Sequence, residues 1–361
     1  MQKRQLFFLL FLLLTQVVCS QTNHASKDSL FTSEAYCFKA KDGLILNGII
    51  TLPEYFDTST KIAILVSPPQ KNERDYGGMF SSLAQALSRQ GIATLRFDNR
   101  SFSDTTLVSY SETVTMFDHA ADVHAAFLSL KSNQRFKNNP VGLVGHSEGG
   151  TVATVETSHN KDVSFLATLS SCGIKGADFM YWQTTLPFSY SDSESNSMSV
   201  DKRNHIIANT YQTIKFLDKT ENDAKLEKKF RKYLSVYFPV AGANEVEMLV
   251  RLWLKPRQIA FMKHTPGDYF SKVSCPALIM HGMMDGIADW KTNMDGIEKV
   301  FIQNKKTNYR MMPVENLDHS YQYTKVYLPY FASISHANNW KPRYSEETWN
   351  KIAEWVNSLS K

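Results

Sequence analysis

Ten residues, Val141-Gly-Leu-Val-Gly145-His146-Ser147-Glu148-Gly149-Gly150, constrain the fold of this chain more than any other stretch. A short apolar run stops at a Gly-x-Ser-x-Gly, and Thr151-Val-Ala-Thr-Val-Glu156 follows with helical character. In a nucleophile elbow of this kind the serine sits on a strained strand-to-helix turn, so its hydroxyl stands clear of the sheet edge. Glycine two residues before and after the serine leaves space that a β-carbon would fill. The helix starts beneath the serine, and its N-terminal dipole favours negative charge developing there. The flanking strand and helix favour an elbow over an ordinary Gly-rich turn.

The rest of the chain alternates between the two periods such a turn requires. Ala35–Ala40 and Leu44–Leu52 read as strands around the hairpin signal Lys41-Asp42-Gly43. Further strands are expected at Lys61–Val66, Ile92–Phe97, from Pro140 to the elbow, and at Phe165–Leu169, Ala277–Met280 and Asn308–Val314. Helices are expected at Phe80–Gln90 with Gly91 as a stop, at Val114–Lys131 and at Glu346–Leu359. Alternation of this kind predicts an α/β fold with a mostly parallel sheet flanked by helices. Ligands in such folds bind beyond the carboxyl ends of the strands, where Ser147 falls. Between Gly173 and Asp268 no strand is evident, and Tyr211–Leu217, Ala224–Tyr237, Asn244–Leu254 and Arg257–Lys263 read as helices. Residues 21–172 and 269–361 are therefore expected to form one core, with 173–268 an inserted helical cap. Ser189–Ser199 is a Ser-rich loop inside the cap.

The first twenty residues stand apart. Lys3 and Arg4 form a basic start, Leu6–Val18 an apolar stretch, and small residues precede Gln21, as in a secretory signal peptide cleaved after Ser20. The apolar stretch is short for a membrane span, so no membrane insertion is expected once it is removed. A periplasmic or released protein follows. A lipid anchor at Cys19 is the lesser reading, because Val18 is larger than the residue that usually precedes a lipidated cysteine. Removal of Lys3 and Arg4 lowers the formal net charge from +5 to about +3, too little to argue for nucleic acid. Cys37, Cys172 and Cys275 would remain, an odd number that does not suggest a disulfide framework, so all three read as small buried hydrophobes.

A serine hydroxyl is a weak nucleophile near neutral pH. It needs a histidine to take its proton and a carboxylate to hold that histidine in the right tautomer. In a strand-elbow-helix topology the chain order is serine, acid, histidine. Asp285 follows the Ala277–Met280 strand, with Asp289 as runner-up, and His319 follows the last strand. Asp318 is adjacent to that histidine and badly placed to orient it. The expected catalytic set is Ser147, Asp285 and His319. An oxyanion hole needs two backbone donors. One is the amide of Glu148. The other should come from the loop after Lys61–Val66, where Pro68 and Pro69 have no N–H, so Gln70 is first choice and Lys71 the fallback. No Cys/His cluster has metal-ligand spacing, so neither metal nor cofactor is expected.

Together these residues resemble the α/β-hydrolase superfamily, most closely its secreted bacterial esterase-like serine hydrolase branch, over roughly Ala35–Leu359 apart from the cap. Glu73-Arg74-Asp75 and Arg96-Phe97-Asp98-Asn99-Arg100 match runs common in that branch, and the elbow is shared with it. Pro68 and Pro69 replace glycines common there. The resemblance implies acyl transfer to water from small-molecule carboxylic esters. Phe179, Tyr181 and Trp182 could line an apolar substrate pocket or serve to glue the cap to the core. Two other readings stand beside the esterase. A serine aminopeptidase or dipeptidyl-type peptidase would need an acidic anchor such as Glu148, Glu221 or Glu227. A non-catalytic ligand-binding protein on the same fold is the third. The sequence sets neither acyl chain length nor oligomeric state.

Overall fold

The computed structural model describes residues 27–28, 30–103, 113–189, 199–239, 241–325 and 343–360. The N-terminal apolar segment with Cys19, and most of the Ser-rich run, lie outside the described residues. Among the described residues nine strands form one sheet: β1 (Lys27–Asp28), β2 (Phe31–Lys39), β3 (Ile45–Pro53), β4 (Ile62–Val66), β5 (Ala93–Phe97), β6 (Val141–His146), β7 (Leu166–Leu169), β8 (Ala277–Gly282) and β9 (Tyr309–Val314). Their order is β1-β2-β3-β5-β4-β6-β7-β8-β9. The first three strands are antiparallel to their neighbours, and β4 through β9 run parallel.

Every residue of β4 to β8 is buried. That is why these strands read as unbroken apolar runs, since a parallel sheet is covered on both faces. β2 and β3 bury less and alternate more, as an outer hairpin should. Their turn uses Gly43 at φ 97°, with Ala40 and Leu44 closing it by a 2.8 Å hydrogen bond.

The helices outside the β7–β8 connection are α1 (Met79–Arg89), α2 (Arg100–Ser103), α3 (Met116–Ser132), α4 (Glu148–His159), α11 (Trp290–Gln303) and α12 (Glu346–Ser358). Leu83 and Leu87 of α1 pack with Trp349, Ile352 and Val356 of α12 on one face of the sheet. Val123 and Phe127 of α3, Val152 of α4 and Ile297 and Phe301 of α11 cover the other. Local signals explain the starts. Thr115 and Asp118 form a reciprocal capping box for α3, and Ser345 caps α12 ahead of Glu346 and Glu347.

Between β7 and β8 the described chain is helical: α5 (Gly176–Ser189), α6 (Val200–Lys219), α7 (Leu226–Tyr237), α8 (Ala243–Trp253), α9 (Pro256–Met262) and α10 (Gly267–Phe270). These helices build a core of their own around Ile214, Leu217, Phe230 and Leu234. Three findings differ from the sequence reading. α5 and α11 were not expected as helices, and α6 extends well beyond Tyr211–Leu217 because its first half is mostly exposed and carries little apolar pattern. Only Cys172 of the three cysteines is fully buried; Cys172 and Cys275 are free thiols, and burial pushes both upward, to about 12 and about 11. No described helix is long and apolar enough to cross a membrane.

The two arginine-containing runs pair crosswise. Arg74 donates Nε to Asp98 Oδ1 at 3.0 Å and also meets Oδ2, while Arg96 donates Nε to Asp75 Oδ1 at 2.6 Å. The side chains of Arg74 and Asp98 are only 10% and 5% exposed. A buried pair of this kind is costly to break, because the survivor is left charged and unpaired. Asp98→Ala should lower stability by about 3–5 kcal/mol. Urea unfolding checks this, and the double substitution Arg74→Met with Asp98→Leu should recover most of the loss.

Candidate active site

The sheet changes direction at β4. β5 lies on one side of it and β6 on the other, so the loops leaving β4 and β6 diverge at the carboxyl edge. Crevices at such switch points are where open α/β sheets place ligands. Ser147 stands there. Its φ is 55° and its ψ −128°, and its amide donates to Leu169 O at 2.7 Å. A non-glycine residue at positive φ costs on the order of 1–3 kcal/mol and persists only where its surroundings impose it. Here they do. A β-carbon on Gly145 would lie 2.3 Å from Gly149 O, and one on Gly149 would lie 2.1 Å from Val66 O. Ser147 is the N-cap of α4, yet its side chain makes no capping bond, so the hydroxyl is not spent on the helix. It is half-buried.

Asp285 and His319 arrive from neighbouring loops and meet. His319 Nδ1 donates to Asp285 Oδ2 at 2.8 Å. The other carboxylate oxygen accepts the amides of Ile287 and Ala288, both at 2.8 Å, which fixes its orientation. Asp285 is fully buried and His319 is 8% exposed. Burial alone would push Asp285 up, but the charge and hydrogen bond of His319 outweigh it and hold the carboxyl below its ordinary value. Burial alone would push His319 down, and Asp285 reverses that, so the imidazole titrates above its ordinary 6.5.

The residue before the serine ties the histidine loop to the elbow. His146 donates Nε2 to the His319 carbonyl at 2.7 Å, and the two rings lie 4.8 Å apart. Burial, followed by the proximity of His319, lowers His146 to about 3, so it stays neutral and keeps this role at physiological pH. Asp318 shapes the same loop, accepting the amides of Ser320 and Gln322 at 2.9 Å each. Asp289 caps α11 by accepting from Thr292 at 2.8 Å. His281 donates to Ser171 O at 3.0 Å, beneath the acid loop.

The loop after β4 is held by the Asn99 side chain, whose amide nitrogen donates to Pro68 O at 2.6 Å and Gln70 O at 2.9 Å. Ser101 adds a bond to Gln70 O at 2.8 Å. The expectation for Gln70 fails here: its amide is turned back onto Pro68 O at 2.7 Å and is not free to face a substrate. The amide of Lys71, the fallback, makes no backbone hydrogen bond among the described residues. Glu148 opens α4, so its amide has no acceptor within the helix. Its carboxylate pairs with Arg257 of α9, a contact that the sequence reading missed because the two residues are 109 apart.

The three aromatic residues on α5 separate. Phe179 packs with Cys172 and Ala288, close behind Asp285, and edge-on to Phe261 at 5.5 Å, with Trp182 beside it. Tyr181 turns toward the insertion and packs on Tyr211 at 5.1 Å. It therefore belongs to the packing between helices, whereas Phe179 and Trp182 lie on the side of α5 nearer the acid loop.

Residues 74–244 match the family described as serine aminopeptidase, S33. No curated protein matches the chain. Among solved structures it is similar to Est1E from Butyrivibrio proteoclasticus, at 15% identity and TM-score 0.50, over 90% of this chain and 97% of that one. It is similar to dienelactone hydrolase from Anabaena variabilis at 12% identity and TM-score 0.50, over 92% and 100%. An esterase from Pyrococcus furiosus aligns at 15% identity and TM-score 0.50, over 91% of each chain. At these identities the likeness is one of fold.

The upward displacement of His319 has a kinetic sign. A base must be neutral to accept a proton, so kcat/KM on an ester should rise as pH rises, with a midpoint above 6.5. Asp285→Asn removes the group that raises His319 and leaves the burial that lowers it. The midpoint should fall, and the plateau rate should drop by about 10⁴. A pH–rate profile of both proteins checks the two shifts together.

Proposed function

We propose that this chain, which shares the α/β-hydrolase fold and matches a hydrolase family over residues 74–244, is a serine hydrolase cleaving carboxylic esters through Ser147, Asp285 and His319. The observation that carries this reading is the His319–Asp285 hydrogen bond in a loop that His146 ties to the elbow, together with a strained serine whose hydroxyl is not spent on capping its helix. Ser147 Oγ attacks the ester carbonyl while His319 Nε2 takes its proton. The oxyanion is stabilised by the amides of Glu148 and Lys71, and by the start of α4. His319 returns the proton to the departing alcohol, leaving an acyl-serine. Water, deprotonated by His319, attacks the acyl carbonyl, and Ser147 leaves with the proton to release the acid.

The same reading takes residues 1–20 as an export signal, residues 21–172 and 269–361 as the catalytic core, and 173–268 as the cap that shapes the substrate site. Phe179 and Trp182 are its apolar wall.

The matched family's description favours a second reading, an aminopeptidase. Cleavage next to a free amino terminus calls for an unpaired carboxylate to meet the ammonium group. Glu148 is engaged by Arg257, Glu227 by Arg231, and both Glu221 and Glu227 are exposed on the insertion. None of the three is a free anion at the elbow, which supports the ester over the peptide.

Hydrolysis of nitrophenyl esters of rising acyl length, run beside amino acid and dipeptide nitroanilides, tests the choice. Ester cleavage is expected, lost by about 10⁶-fold in Ser147→Ala. Cleavage of the nitroanilides alone would replace the esterase with the peptidase.

A further inference from the structure

A cavity lies where α9 and α10 meet the start of α3. It holds about 470 Å³, and none of Ser147, Asp285 and His319 lines it. That volume lies within the range of small-molecule sites. Its walls are mostly apolar, with Phe117 from α3, Leu226 from α7, Ile259 and Ala260 from α9, and Tyr269 from α10.

One polar side chain stands out among the lining residues. His264 is 3% exposed, and its Nδ1 is buried with no hydrogen-bond partner. The ring stacks on Tyr269, at 5.1 Å between centroids and 21° between planes. Nδ1 is sealed in the protein, whereas Nε2, the other ring nitrogen of this cavity-lining residue, is not. Burial lowers His264 to about 4, so the imidazole is neutral and carries one N–H and one lone pair. An orphaned buried N–H is rarer than an under-used acceptor, so the proton belongs on Nε2 and the cavity is offered a donor. Neighbouring charge does not compete for it. Lys263 spends its ammonium on the carbonyls of Leu217, Asp218 and Thr220, and Asp268 stands exposed at the rim.

We propose that this cavity is a binding site for a neutral, largely apolar small molecule bearing one acceptor oxygen, such as an aromatic or alicyclic ketone, received by His264 Nε2. The site is separate from the ester site and does not depend on the reaction assigned there. The two are nevertheless close in the fold, because α9 walls the cavity with Ile259 and Ala260 and sends Arg257 to Glu148.

Fluorine NMR on the full chain tests this with two probes of nearly the same shape, 4-fluoroacetophenone and 4-fluoro-α-methylstyrene. The first has a carbonyl oxygen where the second has a methylene. Both should bind the wild type, the ketone about fivefold more tightly, as one neutral hydrogen bond allows. His264→Phe should retain binding and abolish the difference. Ala260→Phe fills the cavity from a half-buried helix position and should weaken both probes at least about tenfold, with circular dichroism unchanged. Absence of binding to the wild type overturns the site. Equal affinity for the two probes overturns the role of His264. Undiminished binding in a folded Ala260→Phe would place the probes elsewhere, the ester site included, and overturn the location.

Discussion

At the end of β6 the backbone turns too tightly for a side chain at either Gly145 or Gly149. Each glycine lies against another strand's or helix's backbone, and that contact forces Ser147 to positive φ. The fully buried strand and the helix below it bear the local cost, on the order of 1–3 kcal/mol. Once the turn is set, much of the site is set with it. The hydroxyl stands off the helix, the Glu148 amide is left without an acceptor in the helix, and His146 is aimed at the loop that carries His319. The histidine is therefore held by its neighbours on two sides, by carbonyl contact with His146 and by the carboxylate of Asp285.

Much of this was legible in the chain because the signals were local. The central strands are short, uniformly apolar and bounded by Gly, Pro or polar residues, and the structure places them within a few residues of expectation. The helices that were missed show where local signals run out. α11 has a capping aspartate and apolar residues at Met294, Ile297 and Phe301, but Asn293 and Gly296 interrupt the stripe. α5 contains Thr184, Thr185 and Pro187, poor helix formers, and is held by the packing of Phe179 and Met180 on other segments. Recognising α5 would also have separated its aromatic residues, since positions 179 and 182 share a helical face and 181 does not. The Gln70 amide was beyond reach for a different reason. Whether an amide faces inward or closes a turn depends on two backbone angles that no residue type in Pro68-Pro69-Gln70 dictates.

Charge plays a supporting part that is easy to overlook in an apolar core. Arg74, Asp75, Arg96 and Asp98 join the loop after β4 to the end of β5, and Asn99 carries the same connection to Pro68 and Gln70. Arg100 extends it to Asp122 on α3 and to Asp42 in the outer hairpin. Isolated pairs of this type add little to net stability, but as a connected set they fix where one loop stands relative to another. The departures at Pro68 and Pro69 are absorbed by this network: the prolines give up two amide donors, and their neighbourhood is held instead through carbonyls that Asn99 and Ser101 can reach.

α12 gives the molecule a history as well as a shape. Trp349, Ile352 and Val356 complete the face that α1 begins, with Trp349 bonded to Ser82 and Asn357 to Gln90 O. Those contacts join segments 267 residues apart. During synthesis, α1 and its side of the sheet are made long before their cover exists. The apolar surface of Leu83, Leu87 and Phe165 stays open until Trp349, Ile352 and Val356 have emerged. The opposite face begins to be covered as it is made, by α3 and α4, and is completed by α11. The face that α1 begins must wait for α12, and in that interval it is exposed to aggregation.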